Sequence, residues 1–340
     1  MVREIVAIAS LGGTITMTAS PQGSTGVRPT LNALDLIEAV PEISRHVDVS
    51  AETLATIPGA SLSVADLLRA LAWAEEAVAA GAVGVVLIQG TDTIEESAYL
   101  LDLYWRHEAP LVVTGAMRSA QTAGADGPAN VLAAVQVAAC FQSRSRGVLV
   151  VMNDQIHASS RVRKGRSSGP DAFWSPSFGP LGYVVESQAV FGGTISRPQA
   201  LAVPPSDALA PVAIVETYLG DDGALLDLAA AANFEGIVLD AFGVGHVAQD
   251  VAETVSKVVA KSTPVVLTTR TGSGPTFTST YGFIGSETDL NRRGAIPAGW
   301  LDARKSRILL AAMLSVGSDI DEISAEFQRR GTLTAAAPTD

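Results

Sequence analysis

Residues Val83 to Gln89 read Val-Gly-Val-Val-Leu-Ile-Gln, a nearly unbroken apolar run closed by Gly90. Strands that face water on one side alternate polar and apolar residues, and this one does not. Its pattern is that of a strand buried on both faces inside a parallel sheet. Parallel neighbours need long crossover connections, usually helices, so the chain is committed to alternating strands and helices. That alternation is legible. Strands are expected at Glu4–Ala9, Val83–Gln89, Pro110–Thr114 and Gly147–Met152. Helices are expected at Leu31–Ala39, Val64–Val78 with Ser63 as N-cap, Ile94–Trp105 and Gly127–Phe141. The fold class is α/β, with a doubly wound sheet in the N-terminal part.

The rhythm breaks after Gly182. Residues 196–211 carry Pro198, Pro204, Pro205 and Pro211 among alanines and serines and read as a linker. A second, smaller parallel-sheet unit follows. Its strands are expected at Val212–Glu216, Gly236–Leu239 and Pro264–Thr268, and its helices at Ala224–Ala231, Ala248–Val259, Ala303–Leu314 and Ile320–Gln328. The expected organisation is therefore an N-terminal domain over 1–195, a linker, a C-terminal domain over 212–332 and a frayed tail over 333–340.

Composition excludes several functions. The net charge of −12 disfavours nucleic acid and anionic membrane as partners, because phosphate binding needs a basic footprint. No apolar run reaches the roughly 20 residues of a membrane span, and the opening Met1-Val2-Arg3-Glu4 lacks a signal-peptide pattern, which reads as cytoplasmic. The single cysteine, Cys140, forbids an intrachain disulfide and is expected on a buried helix face. The four histidines, His46, His107, His157 and His246, show no metal-ligand spacing, so no metal site is expected.

Two strand ends carry candidate chemistry: Gly12-Gly13-Thr14 after the first strand and Gly90-Thr91-Asp92 after the apolar run. Open parallel sheets bind ligands beyond the carboxyl ends of their strands, and glycines there let the backbone turn sharply. Thr14 and Thr91 could so face one crevice. A threonine hydroxyl needs a base to attack an amide. Lys164, the first of only four lysines, stands among Arg161, Arg163 and Arg166, which favour a neutral amine able to take a proton. Asp92 would hold that lysine or a substrate ammonium. A bland reading competes at every position: Gly-Gly-Thr as an ordinary strand-to-helix turn, Lys164 as a solvated surface lysine, Glu95 and Glu96 as first-turn helix residues, and Asp126 as a helix cap. No phosphate-loop or dinucleotide fingerprint is present. The later Gly192-Gly193-Thr194-Ile195 is taken as a chance echo.

The chain resembles the bacterial-type L-asparaginase/glutaminase family along nearly its whole length. The resemblance rests on Ser10–Ile15, Leu87–Ala98, Val113–Arg118, Asp126–Asn130 and Val151–Asp154, in that order. It implies two α/β domains, no cofactor, and self-association as a homodimer or homotetramer. It implies that Thr14 attacks the side-chain amide of L-asparagine, giving an acyl-enzyme that water hydrolyses to L-aspartate and ammonia. It further implies that Thr91, Asp92 and Lys164 form a second catalytic set, with Asp92 on the substrate ammonium. The Ala116 carbonyl faces the leaving nitrogen, Gly59, Ala60 and Ser61 lie at the substrate carboxylate, and Glu287 reaches a neighbouring subunit's site.

The chain departs from the family pattern in places. Met17 to Pro29 holds no tyrosine where the family carries one, with Ser24 or Thr25 as substitutes near Gly26. Gly165-Arg166-Ser167-Ser168 replaces the usual Thr-Asn-Thr, and Gly243-Val244-Gly245-His246 lacks the usual asparagine. Three alternatives stay open: hydrolysis of glutamine, a D-amide or another small amide; an amino-acid-binding homologue without activity; and, ranked lower, an amidotransferase subunit acting on misacylated tRNA.

Overall fold

The computed structural model describes residues 3–19, 27–195, 197–202 and 208–333. Parts of the expected linker (196 and 203–207), most of the expected tail (334–340) and the loop residues Gly23, Ser24, Thr25 and Gly26 lie outside them. The chain divides into two units, Met1–Ala202 and Val203–Asp340.

The first unit contains β1 (Ile5–Ser10), β2 (Met17–Ala19), β3 (Val27–Pro29), β4 (Asp48–Thr53), β5 (Gly84–Ile88) and β6 (Leu111–Thr114). It continues with β7 (Val148–Met152), β8 (Gln155–Ala158), β9 (Arg163–Lys164), β10 (Phe173–Trp174), β11 (Gly182–Val185) and β12 (Gln188–Phe191). Its helices are α1 (Ala33–Glu38), α2 (Ile43–His46), α3 (Val64–Ala79), α4 (Ile94–Tyr104) and α5 (Gly127–Ala139). Among the described residues its main sheet runs β12-β11-β8-β7-β6-β5-β1-β4. The stretch from β4 to β7 is parallel, as the apolar runs require.

Every residue of β5, β6 and β7 is buried. Alternate residues feed two layers. Val6, Ile8, Val86, Ile88 and Val112 pack with Val131, Ala134 and Val135 of α5, while α3 and α4 cover the sheet without entering that cluster. Each buried Val or Ile contributes about 2 kcal/mol of transfer free energy. Helix α3 starts where Ser63 predicts. The Ser63 side chain accepts from the Asp66 amide and the Asp66 carboxylate accepts from the Ser63 amide, which closes a capping box.

Beyond β7 the sheet turns antiparallel. Strands β7 and β8 are joined by Asn153 and Asp154, both at positive φ, and β11 and β12 by Glu186 and Ser187, likewise. Two consecutive left-handed residues make the tight turn whose twist matches a β-hairpin. Cys140 also differs from expectation. Helix α5 ends at Ala139, so Cys140 sits half-buried just past it, its thiol on Gln142.

His157 on β8 is fully buried, with Nδ1 2.9 Å from Ser175 Oγ and Nε2 without a hydrogen-bond partner among the described residues. Burial pushes its imidazolium down to about 4. The unfolded chain takes this proton near pH 6.5, and the folded chain only near pH 4. Stability is thus fully present above pH 6.5 and is lost as pH falls between those values. The expected loss from this ring alone is about 2.5 kcal/mol between pH 7 and pH 4.5. Urea unfolding of wild type and His157→Gln at both pH values checks it. Equal pH dependence in the two proteins would refute the assignment.

The second unit contains β13 (Val212–Glu216), β14 (Gly236–Ala241), β15 (Val265–Thr269) and β16 (Ile296–Pro297), in that order and parallel throughout. Its helices are α6 (Ala224–Ala231), α7 (Gln249–Val259), α8 (Glu287–Arg292), α9 (Ala303–Ser315) and α10 (Ile320–Gly331). Ile237, Leu239, Val265 and Leu267 meet Val251 and Val255 of α7 in its core. Asp302 and Asp319 cap α9 and α10. No helix among the described residues is long and apolar enough to cross a membrane.

Candidate active site

The site is built where β1 and β5, neighbouring and parallel, end side by side. Leu11 donates to the Ile88 carbonyl at 2.8 Å, so the two chains leave the sheet in step. Gly12 and Gly13 then take φ of +101° and +92°. The Gly13 main chain lies against Gly90: a side chain at 13 would fall 2.8 Å from the Gln89 carbonyl carbon and closer still to Gly90 itself. Gly90 in turn rests on Gly59, whose Cα lies 2.6 Å from where a Gly90 side chain would begin. Three turns therefore meet backbone to backbone, and only glycine permits that. Side-chain bonds lock them. Thr93 donates to the Gly59 carbonyl at 3.0 Å, and the buried Gln89 amide reaches Ser97 at 3.1 Å.

This packing puts Thr14 and Thr91 each at the head of a short 3-10 turn on the same sheet edge. Thr14 is half-buried and Thr91 buried. Lys164 arrives from β9, with Nζ donating to Thr91 Oγ1 at 2.9 Å and to Asp92 Oδ1 at 2.7 Å. The Lys164 side chain is largely shielded, whereas Asp92 opens to solvent. A buried hydroxyl touched by an amine that is itself held by a carboxylate is an arrangement able to move a proton.

Two of the arginines near Lys164 in sequence are engaged elsewhere. Arg161 lies 4.3 Å over the Phe178 ring, and Arg166 pairs with Asp171 at 2.5 Å. The departure at Gly165 has a structural counterpart. The Trp174 indole occupies the place where a side chain at 165 would project, with Cδ1 only 2.7 Å from it.

A third wall comes from β6. Gly115 lies against the Gln89 carbonyl and the Thr91 methyl, and Ala116 beside it is fully buried. Asp126 stands at the N-cap position of α5, as the sequence reading has it, but its side chain makes no cap bond. Its carboxylate instead accepts from the amides of Met117 and Arg118, both at 2.9 Å. Asn130 extends this brace, donating to the Gly115 carbonyl at 3.0 Å and accepting from the Asn153 amide at 2.9 Å. Sequence reasoning missed Asn130 as a site brace, although its spacing of four from Asp126 on one helix face was a usable signal.

The remaining site expectations fall as follows. Gly59 is buried in the triple turn, whereas Ala60 and Ser61 are exposed beside it. Glu287 lies in the second unit with its side chain fully buried. It accepts from the amides of Thr280 and Tyr281, both at 2.7 Å, and lies 3.1 Å from His246 Nε2. Burial pushes its carboxyl up, but those amides and the imidazole outweigh this and hold it below the ordinary glutamate range. His246 thus serves to close the 280s loop. Gly192 and Gly193 have open space where side chains would project, unlike the crowded turn at Gly13, in keeping with a chance echo. No group of three or more His, Cys, Asp or Glu able to hold a metal occurs among the described residues.

The Asparaginase, N-terminal family model matches residues 5–196, and the Glutaminase/Asparaginase C-terminal domain model matches residues 211–327. The chain belongs to the asparaginase family. It is 34% identical over 331 residues to the "Probable L-asparaginase" of Deinococcus radiodurans, covering 95% of this chain and 96% of that one. It is 30% identical to "L-asparaginase 2" of Escherichia coli, covering 95% and 90%. Among solved structures it is similar to the probable cytoplasmic L-asparaginase from Campylobacter jejuni, with a TM-score of 0.85, 30% identity and coverage of 96% and 99%. Membership in this family gives the shared strand edge a context in amide hydrolysis.

Proposed function

We propose that this chain hydrolyses L-asparagine to L-aspartate and ammonia through a threonine acyl-enzyme. The observation that carries the reading is Lys164 Nζ on both Thr91 and Asp92, at the strand edge shared with Thr14. In the first half-reaction Thr14 Oγ adds to the side-chain amide carbon. The hydroxyl proton passes to the amide nitrogen, the C–N bond breaks, and ammonia leaves an ester on Thr14. In the second, water adds to the ester carbon, the bond to Thr14 breaks, and the proton returns to the hydroxyl. Thr91 and Lys164 relay the protons. Main-chain amides of the glycine turns face the developing oxyanion. Asp92, open to solvent, pairs with the substrate ammonium as well as with Lys164.

Gly59, Ala60 and Ser61 form the carboxylate side of the pocket, and the Ala116 carbonyl faces the leaving nitrogen. Glu287 of the second unit, its carboxylate oriented by the Thr280 and Tyr281 amides, is the residue that reaches a neighbouring subunit's site. No cofactor enters the scheme. We infer self-association as a homodimer or homotetramer and a cytoplasmic setting, the latter supported by the similarity to the probable cytoplasmic L-asparaginase of C. jejuni.

The exposed Ser61 at the carboxylate side favours a second reading of substrate, with glutamine or a D-amide admitted. Ammonia release from L-asparagine, L-glutamine and their D-forms decides. Release chiefly from L-asparagine supports the proposal, and release only from another amide redirects the substrate. If none reacts while asparagine raises the melting temperature, the chain is a binding homologue.

A further inference from the structure

Lys164 reaches its partners at the end of a flexible four-carbon stem. Where its ammonium lands therefore depends on where its main chain is held. That main chain is held by Glu95. The Lys164 amide donates to Glu95 Oε2 at 3.1 Å, across 69 positions of sequence. Glu95 is 4% exposed and sits in the first turn of α4, the helix that begins directly after the Thr91–Thr93 turn. One short segment thus grips Lys164 at both ends: Thr91 and Asp92 hold its ammonium, and Glu95 holds its amide. From the other side β9 is paired, among the described residues, only by the two-residue strand β10, with Gly165 donating to the Ala172 carbonyl at 2.8 Å. A two-residue ribbon is a weak support by itself.

A glutamate in a first helical turn is ordinarily read as a partner of the helix dipole. That role needs a negative charge near the helix end and is indifferent to reach. Burial and a bond to a distant strand are not explained by it. We propose that Glu95 is a positioning residue for Lys164: it sets the height of β9 above the Thr91 turn, so that the amine meets the hydroxyl and the Asp92 carboxylate together. This rests on the reading of Lys164 as the amine of the site.

The two roles respond oppositely to two conservative changes. Glu95→Gln keeps the length and a carbonyl acceptor but loses the charge. Glu95→Asp keeps the charge and the helix turn but draws the acceptor back by one methylene. With L-asparagine as substrate, Glu95→Asp is expected to lower kcat about 10- to 100-fold, with KM changed less than about threefold, because misplacement of a reacting group by an ångström costs this order. Glu95→Gln is expected to stay within about fivefold of wild type, since the acceptor remains in place. Melting temperatures of both variants show that each is folded. An Asp variant as fast as wild type, or a Gln variant slowed as much as the Asp one, overturns the proposal. Wild type inert toward all four amides sinks the reading of the site, and this inference with it; active wild type with an unaffected Asp variant sinks this inference alone.

Discussion

Thr14→Ala is expected to abolish steady-state ammonia release from L-asparagine, lowering kcat by at least about 1,000-fold. The nucleophile is the one group in such a site without which no covalent intermediate forms, and a water molecule placed by the remaining groups recovers only a small part of the rate. The structure makes the test clean. Thr14 is half-buried at the head of a 3-10 turn, and no hydrogen bond is made at its hydroxyl among the described residues, whereas the neighbouring Thr16 hydroxyl donates to the Gly13 carbonyl at 2.8 Å and stays in place. Loss of activity should therefore come without loss of fold. L-aspartate should still raise the melting temperature of the variant, because the groups expected to bind it are untouched. If Thr14→Ala keeps activity within tenfold of wild type, the nucleophile is elsewhere. Thr91, whose hydroxyl already receives the Lys164 amine, would then take that role.

The largest effect on stability is expected at Gly13. Gly13→Ala places a methyl group on the main chain of Gly90 while holding an L-residue at a φ of +92°. With ψ at −173° this is a backbone region open essentially to glycine alone, which by itself costs roughly 1–3 kcal/mol. The overlap is with backbone, which cannot rotate away, so β1 and β5 must part at their ends. Gly81→Ala provides the control: its φ is +106°, with nothing within 4 Å of the added carbon. Urea unfolding should show about 1 kcal/mol lost at Gly81 and about 3 kcal/mol or more at Gly13. Equal losses would mean that the contact between the two turns adds nothing to conformational strain.

These two positions also show how far residues announce their own roles. Gly12-Gly13-Thr14 and Gly90-Thr91-Asp92 were legible because glycine after a buried strand has few other uses, and the parallel stretch was legible because its strands are apolar throughout. The longer helices are legible for the same kind of reason, by cap or periodicity, as at Ser63, whereas the short α2 and α8 carry too few turns to show a period. Strand β4 was not seen, because as an edge strand it alternates weakly and buries little. Strands β8, β11 and β12 escaped notice because their turns use Asn153-Asp154 and Glu186-Ser187 rather than a glycine signal. In the site, a lone lysine could be singled out by its rarity. Asp92 as its partner is anticipated and observed, but nothing local could say that Arg161 and Arg166 turn to Phe178 and Asp171. Asp126 and Glu95 each satisfied a local rule for helix starts, and tertiary bonds overrode both.

The contact of Gly13, Gly90 and Gly59 has a bearing on how this scaffold can change. Where reacting hydroxyls hang from loops propped by side chains, a new neighbour shifts the machinery along with the pocket. Here main chain rests on main chain, locked by Thr93 and the buried Gln89, and only the exposed Ser61 side chain stands at the rim. The rim can drift, and with it the amides admitted, while the hydroxyls stay where they are. Diversification of diet, in such a molecule, is decoupled from the upkeep of chemistry.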